Sequence, residues 1–341
     1  MILRVRYLWW LSLLGAACQP GPAKNPVVIS TPAPSVGDEN GEKPAPPDGV
    51  KPGATAPAPT IKCPPTWTLV PGDKDFQTTD FCTMTYEARE VANQAVSQAG
   101  GTPRVSGSAQ DARVTCGALG EGFGLMNNSE WMTAASNAAS NPANWYGDRG
   151  KGFGFGASGA AINPVEVLNF HLVLNRGHSD NNPPSLCDGS QETVDGDCSN
   201  SGKEDDPTQR RTFKLTNNEV LWDLAGNAWE WVDYYNVDAK PYSTADGGPV
   251  AAFREYPSVD GGFEKMSRAQ LIPHKKSFWV NTWNTEQGIG GYFSAPNQSG
   301  GNLMRGGYYR DDKNAGLFFA DLARSPASVD TYIGYRCVKR K

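Results

Sequence analysis

Residues 222–231, WDLAGNAWEW, place two carboxylates, a glycine, an asparagine and three tryptophans in ten positions. That composition follows neither the 3.6-residue period of an amphipathic helix nor the alternation of a half-buried strand. The stretch therefore reads as a tight, buried loop. Two chemistries fit such a loop. Asp223 and Glu230, with the carbonyl oxygens between them, can hold a hard cation such as calcium, which takes about six to eight oxygens. Alternatively the carboxylates cap backbone N–H groups while the indoles fill the core. The spacing does not follow the EF-hand pattern.

Composition limits how much of the chain can surround this loop. At 341 residues the chain holds one large domain or two average ones, but apolar residues are only 38%, with 38 glycines and 26 prolines. Part of it must be irregular. A net charge of -5 argues against a nucleic-acid surface, which needs clustered basic residues.

Residues 1–18 read as an export signal: Arg4 and Arg6 precede an apolar core, Tyr7 to Leu14, too short to span a membrane. Leu-Leu-Gly-Ala-Ala-Cys then ends at Cys18, similar to a bacterial lipoprotein cleavage site, although Gly15 stands three residues before the cysteine. Lipidation of Cys18 is expected, the alternative being simple cleavage near Ala17. Residues 19–62 are rich in proline and alanine and cannot bury enough apolar surface to order themselves. They read as a disordered tether, able to reach on the order of 120 Å at about 3.1 Å per residue; a plain wall-proximal spacer is the other reading.

With Cys18 lipidated, an even set of cysteines remains, as expected of disulfides in an exported protein. Sequence permits many pairings. We expect Cys63–Cys82 and Cys187–Cys198, which close short loops, leaving Cys116 to reach Cys337. No CxxC spacing suggests zinc.

Folded sequence begins at Cys63. TWTLVPGDKDF and FCTMTYEAREV read as strands, and Val91 to Ala99 as a short helix. Asn127 to Ala138 is the strongest helix, with Asn127 and Glu130 set for a capping box and Trp131, Ala134, Ala135 and Ala138 at helical spacing. Residues 147–209 read as loop. DRGKGFGFGASG is not followed by the Lys-Ser/Thr pair of a phosphate loop. The acidic run with Asp180, Asp188, Asp195 and Asp197 reads as a solvated loop, with a second calcium as the minor alternative. His171, His178 and His274 are too scattered for a metal triad, and FWVNTW reads as a strand.

Three motifs resemble the formylglycine-generating enzyme, or sulfatase-modifying-factor, family. Asp-Leu-Ala-Gly-Asn-Ala-Trp-Glu-Trp is similar to its signature. GFGLMNNSEWMTAAS is similar to its Glu-Trp helix, with Glu130 and Trp131 on that pair. Arg305-Gly306-Gly307-Tyr308, Ala323-Arg324-Ser325-Pro326 and Gly334-Tyr335-Arg336-Cys337 are similar to its C-terminal segment. The resemblance spans residues 63–341 and implies one domain of α+β class, an irregular, loop-rich C-type lectin-like fold. It also implies a structural calcium at Asp223, the carbonyls of Gly226 and Ala228, and Glu230.

The enzyme's activity does not carry over. Its copper is held by two thiolates, the ligands such a metal requires, and those positions fall on Asp311 and Gly316. No copper is expected. The histidine-bearing helical domain of the iron-dependent relatives and the Gly-x-Ser-x-Gly elbow are missing from the sequence.

A binding module is the better reading. NAGLFFADLARSP and IGYRC also resemble the variable segments of proteins diversified by bacterial retroelements. Tyr308, Tyr309, Asp311, Asp312, Asn314, Asp321, Ser328, Asp330 and Tyr332 are the candidate contacts, with Phe318 and Arg324 as contact or framework. Tyrosine and arginine carry much of the energy of protein interfaces. The sugar-binding triplets of C-type lectins are not found. The expectation is a lipid-anchored bacterial outer-membrane or cell-surface adhesin or receptor for a protein or glycan. A divergent oxidase and a structural envelope protein are the rivals.

Overall fold

The computed structural model describes residues 61–146, 173–177, 179, 186–187, 210–236, 252–254, 285–294 and 301–341. The signal segment with Cys18, the tether up to residue 60, Asp180, Asp188, Asp195, Asp197, Cys198, the three histidines and FWVNTW lie outside the described residues.

In chain order, the first half contributes β1 (Trp67–Val70), β2 (Phe81–Met84), β3 (Arg89–Val91), β4 (Gln94–Val96), α1 (Ala109–Gly117), β5 (Phe123–Leu125), α2 (Asn128–Ala139) and β6 (Trp145–Tyr146). There follow β7 (Val173–Leu174), β8 (Thr212–Lys214), β9 (Val220–Trp222), β10 (Trp229–Asn236) and β11 (Ala252–Arg254). The last are β12 (Tyr292–Ser294), β13 (Gly301–Gly306), β14 (Gly316–Arg324), β15 (Ile333–Tyr335) and β16 (Cys337–Lys339). The class is mixed α+β.

A six-stranded sheet runs β11-β12-β14-β13-β10-β15, antiparallel except where β12 meets β14 and β10 meets β15. A four-stranded sheet, β1-β2-β16-β5, brings the first and last strands of the domain together. Alternation along β10 gives the large sheet two apolar faces. Trp229 and Trp231 enter a core with α1, Met304, Phe319 and Tyr335, while Val232 enters the other with α2, Leu303, Phe318 and Leu322.

The α2 helix starts where its capping box requires. Asn127 Oδ1 accepts the Glu130 amide N–H at 2.9 Å, and Glu130 Oε2 accepts that of Asn127 at 2.8 Å. Buried Ala134, Ala135 and Ala138 let it lie close to its neighbours, and Trp131 donates its indole N–H to Leu317 O at 2.8 Å. Two disulfides fasten the layers as expected, Cys63–Cys82 and Cys116–Cys337. Cys187 is itself disulfide-bonded, and its expected partner Cys198 is outside the described residues. Among the described residues no helix is long and apolar enough to cross a membrane.

Two local expectations are corrected, and one helix is added to them. Val91 to Ala99 is no helix: β3 and β4 form a hairpin, turned by Ala92 and Asn93 at φ 50° and 63°, the left-handed pair that a tight hairpin needs. The added helix is α1, on which Ser108 and Asp111 close a capping box. WDLAGNAWEW is a loop only from Asp223 to Ala228; Trp222 ends one strand and Trp229 begins the next.

Candidate functional site

The loop that joins β9 to β10 bends through Asp223, Gly226 and Asn227, at φ 53°, 73° and 58°. Glycine, aspartate and asparagine are the residues that accept this left-handed region most readily. The bends turn Asp223, Asn227 and Glu230 into a buried charge cluster with Glu87, Arg89, Arg211 and Arg336. Asp223 receives Arg211 on both oxygens, at 2.7 and 2.6 Å. Glu230 receives Arg336 on both, at 2.6 to 2.9 Å. Glu87 accepts from Asn227 Nδ2 at 2.6 Å and from the Ala228 amide at 3.1 Å.

Burial raises the pKa of Glu87 well above the carboxylate range, and Asp223 and Glu230 push the same way. Arg336 is opposed by burial, yet Glu230, with Glu87 and Asp223 behind it, holds it above its ordinary value. The residues present do not fit the expected calcium: each carboxylate oxygen of Asp223 and Glu230 already accepts a guanidinium N–H. Among the described residues no group of three or more acidic, histidine or cysteine side chains is arranged to hold a metal ion.

A second assembly lies where β13 ends. Gly306 and Gly307, at φ 86° and 80°, turn the chain sharply, and a Cβ on Gly307 would lie 2.6 Å from Ala315 Cα. The turn delivers Tyr308 against Trp229, ring centroids 4.3 Å apart, and against Tyr332, at 5.4 Å. Tyr309 packs edge-on to both tyrosines, at 5.3 and 5.7 Å. Two guanidiniums cover the rings. Arg310 lies over Tyr309 and Tyr332, 5.1 and 5.8 Å from their centroids, and Arg324 lies 5.5 Å over Trp229 while facing Asp330 at 3.7 Å.

Asp311 underpins the rings. Its Oδ2 accepts the Trp229 indole N–H at 2.7 Å and the Tyr308 amide N–H at 2.9 Å. Burial raises its pKa to about 7 against these two hydrogen bonds, with Asp321 nearby adding to the rise. Asp321 is also raised by burial to about 7, opposed by the Ala323 amide and by Arg324.

The structure thus gathers Tyr308, Tyr309, Asp311, Asp330 and Tyr332 and separates the other candidates. Tyr309, Asp311 and Asp321 are 2%, 4% and 1% exposed, so as direct contacts they are corrected to supports beneath the surface. Asp312 and Asn314 belong to a 3-10 turn whose backbone bonds to Ser179 and Gly291. Ser328 meets Ser325 in the turn after β14, at 3.2 Å. Phe318 is fully buried core. Gly316 faces backbone so closely that a Cβ would lie 2.4 Å from Gly290 N. Sequence reasoning missed Arg310 and the role of Trp229 as the floor of the face; the run Tyr-Tyr-Arg-Asp was the available signal.

No family model matches the chain, and no curated protein matches it. Among solved structures, one described as Treponema denticola variable protein 1 is similar, at 12% identity and a TM-score of 0.34, over 80% of this chain and 91% of that one. That likeness is too loose to assign a fold.

Proposed function

We propose that this protein is a surface-displayed binding module, held at a bacterial membrane by a lipid on Cys18, that recognises a partner through Tyr308, Arg310, Arg324, Asp330 and Tyr332. The observation that carries the reading is the tyrosine–arginine face. Its outer groups, Arg310, Arg324, Tyr308 and Tyr332, are exposed or partly exposed, while Trp229 and Asp311 fix the rings from below. Rings held in one arrangement lose little conformational freedom when a partner docks. A protein partner is favoured, because tyrosine and arginine around a desolvated tryptophan is the composition of an interaction hot spot.

The C-type lectin-like architecture of the formylglycine-generating-enzyme type is part of this proposal. It is supported by first and last strands that share a sheet and, among the described residues, by two α-helices set among short strands. A binding role is favoured over oxidase chemistry by the Asp311 carboxylate, which is committed to Trp229 and Tyr308, and by Gly316, where a thiol would meet backbone. Probing protein and glycan arrays with the purified full-length chain tests the proposal. Saturable capture of a protein supports it; capture of glycans alone would change the partner class, and turnover of a cysteine peptide with copper and oxygen would replace the reading altogether.

A further inference from the structure

We infer that the loop between Trp222 and Trp229 carries its own cations: the guanidinium groups of Arg211 and Arg336 stand where calcium is expected, and the domain folds without metal. The inference concerns the scaffold and does not rest on the proposed binding role. All six carboxylate oxygens of Glu87, Asp223 and Glu230 are engaged by N–H donors. Arg336 also donates to the carbonyls of Trp222 and Asp223, at 2.8 and 3.0 Å, and to those of Met84 and Thr85, at 3.2 and 3.3 Å. One side chain therefore ties β2, the end of β9, the loop and β10, the cross-linking that a bound ion would supply.

Charge gives the same answer. Glu87, Asp223 and Glu230 face Arg89, Arg211 and Arg336, each 1% exposed or less, and burial pushes the Glu87 carboxyl toward its neutral form, so the three guanidiniums leave no excess negative charge inside the fold. A calcium ion would add two positive charges to that interior and would have to displace at least one bidentate guanidinium. Buried charge without a counter-charge is strongly unfavourable. A planar, permanently charged fork bound to two oxygens is the better match to an isolated carboxylate.

The test uses the full-length protein. Its melting curve is recorded in EDTA and in millimolar calcium, and terbium, a luminescent calcium substitute, is titrated while tryptophan is excited. Trp222, Trp229 and Trp231 flank or begin the stretch and would sensitise any ion bound there. We expect coincident melting curves and no sensitised terbium emission that both competes with calcium and disappears in Asp223→Asn. Calcium-dependent melting of the wild type, or calcium-competed terbium emission that is lost in Asp223→Asn, would overturn the inference; terbium emission that survives this substitution while the melting curves still coincide places that ion elsewhere and leaves the inference standing. Arg336→Lys supplies the converse arm. It keeps the charge but loses the fork, so its melting temperature should fall and calcium should not restore it; restoration by calcium would also overturn the inference.

Discussion

Asp311 and Trp229 meet through one hydrogen bond, indole N–H to carboxylate Oδ2 at 2.7 Å, and the same oxygen holds the Tyr308 amide. The bond couples β10 to the turn after β13, and so couples the buried floor of the tyrosine face to its rim. Asp311→Ala leaves the buried indole N–H without an acceptor, at a cost of about 1–3 kcal/mol. Asp311→Asn retains an acceptor and should cost less. Urea unfolding of the two variants decides; equal losses would mean that the bond does not position Trp229.

The buried carboxyls make stability depend on pH. Asp311 and Asp321 have folded pKa values of about 7 against an ordinary 3.8, so the folded state favours their protonated forms. Their contribution is fully present below the unfolded value and is lost as pH rises through the folded one, by up to about 1.4 kcal/mol per pH unit for each group. Glu87 and Glu230 are raised by burial in the same direction. The melting temperature should therefore climb as pH falls from 8 toward 5, and the Asp311→Asn, Asp321→Asn double variant should flatten that climb. A wild-type curve that is level or falls over this window would refute the assignment.

The two described disulfides should differ in their contribution. Cys116–Cys337 spans 221 residues and Cys63–Cys82 only 19, and closing a longer loop removes more entropy from the unfolded chain. Replacing the long-range pair by serine should cost about 2–5 kcal/mol, and the short-range pair less. Denaturant unfolding of the two double variants gives the order, and the reverse order would contradict the loop-entropy account.

Gly307→Ala should be more damaging than its size suggests. The residue sits at φ 80°, and the new Cβ would lie 2.6 Å from Ala315 Cα and 2.7 Å from Ala315 Cβ. The added strain should lower the melting temperature and displace the Tyr308 turn. A variant that melts like the wild type would show that the turn relaxes freely.

Much of this arrangement is legible in the residues. The α2 helix announces itself by Asn127, Glu130 and its alanine spacing, and β1 by its apolar run before Pro71. The hairpin at Ala92-Asn93 is hidden because it needs a left-handed alanine, which no local preference favours. The α1 helix is hidden because it buries only Ala109, Ala112 and Cys116 and leaves Val114 exposed. The charge cluster is harder still. Glu87 and Arg211 lie far apart in the chain, and their meeting with the 222–231 stretch is a property of packing that spacing does not encode. At the candidate face the tyrosines were readable by type, but burial divides Tyr332 from Tyr309 and Asp311, and burial is set by the strands around them.

The proposed binding contact is the face of Tyr308, Arg310 and Tyr332. The most direct measurement is the affinity of an array-identified partner for the wild-type chain, for Tyr332→Ala, for Arg310→Ala and for Lys74→Ala, an exposed change in the β1–β2 connection. Loss of about tenfold or more at the first two positions, with Lys74→Ala unchanged, is the predicted result. Affinity that survives both face substitutions while the variants remain folded would contradict it.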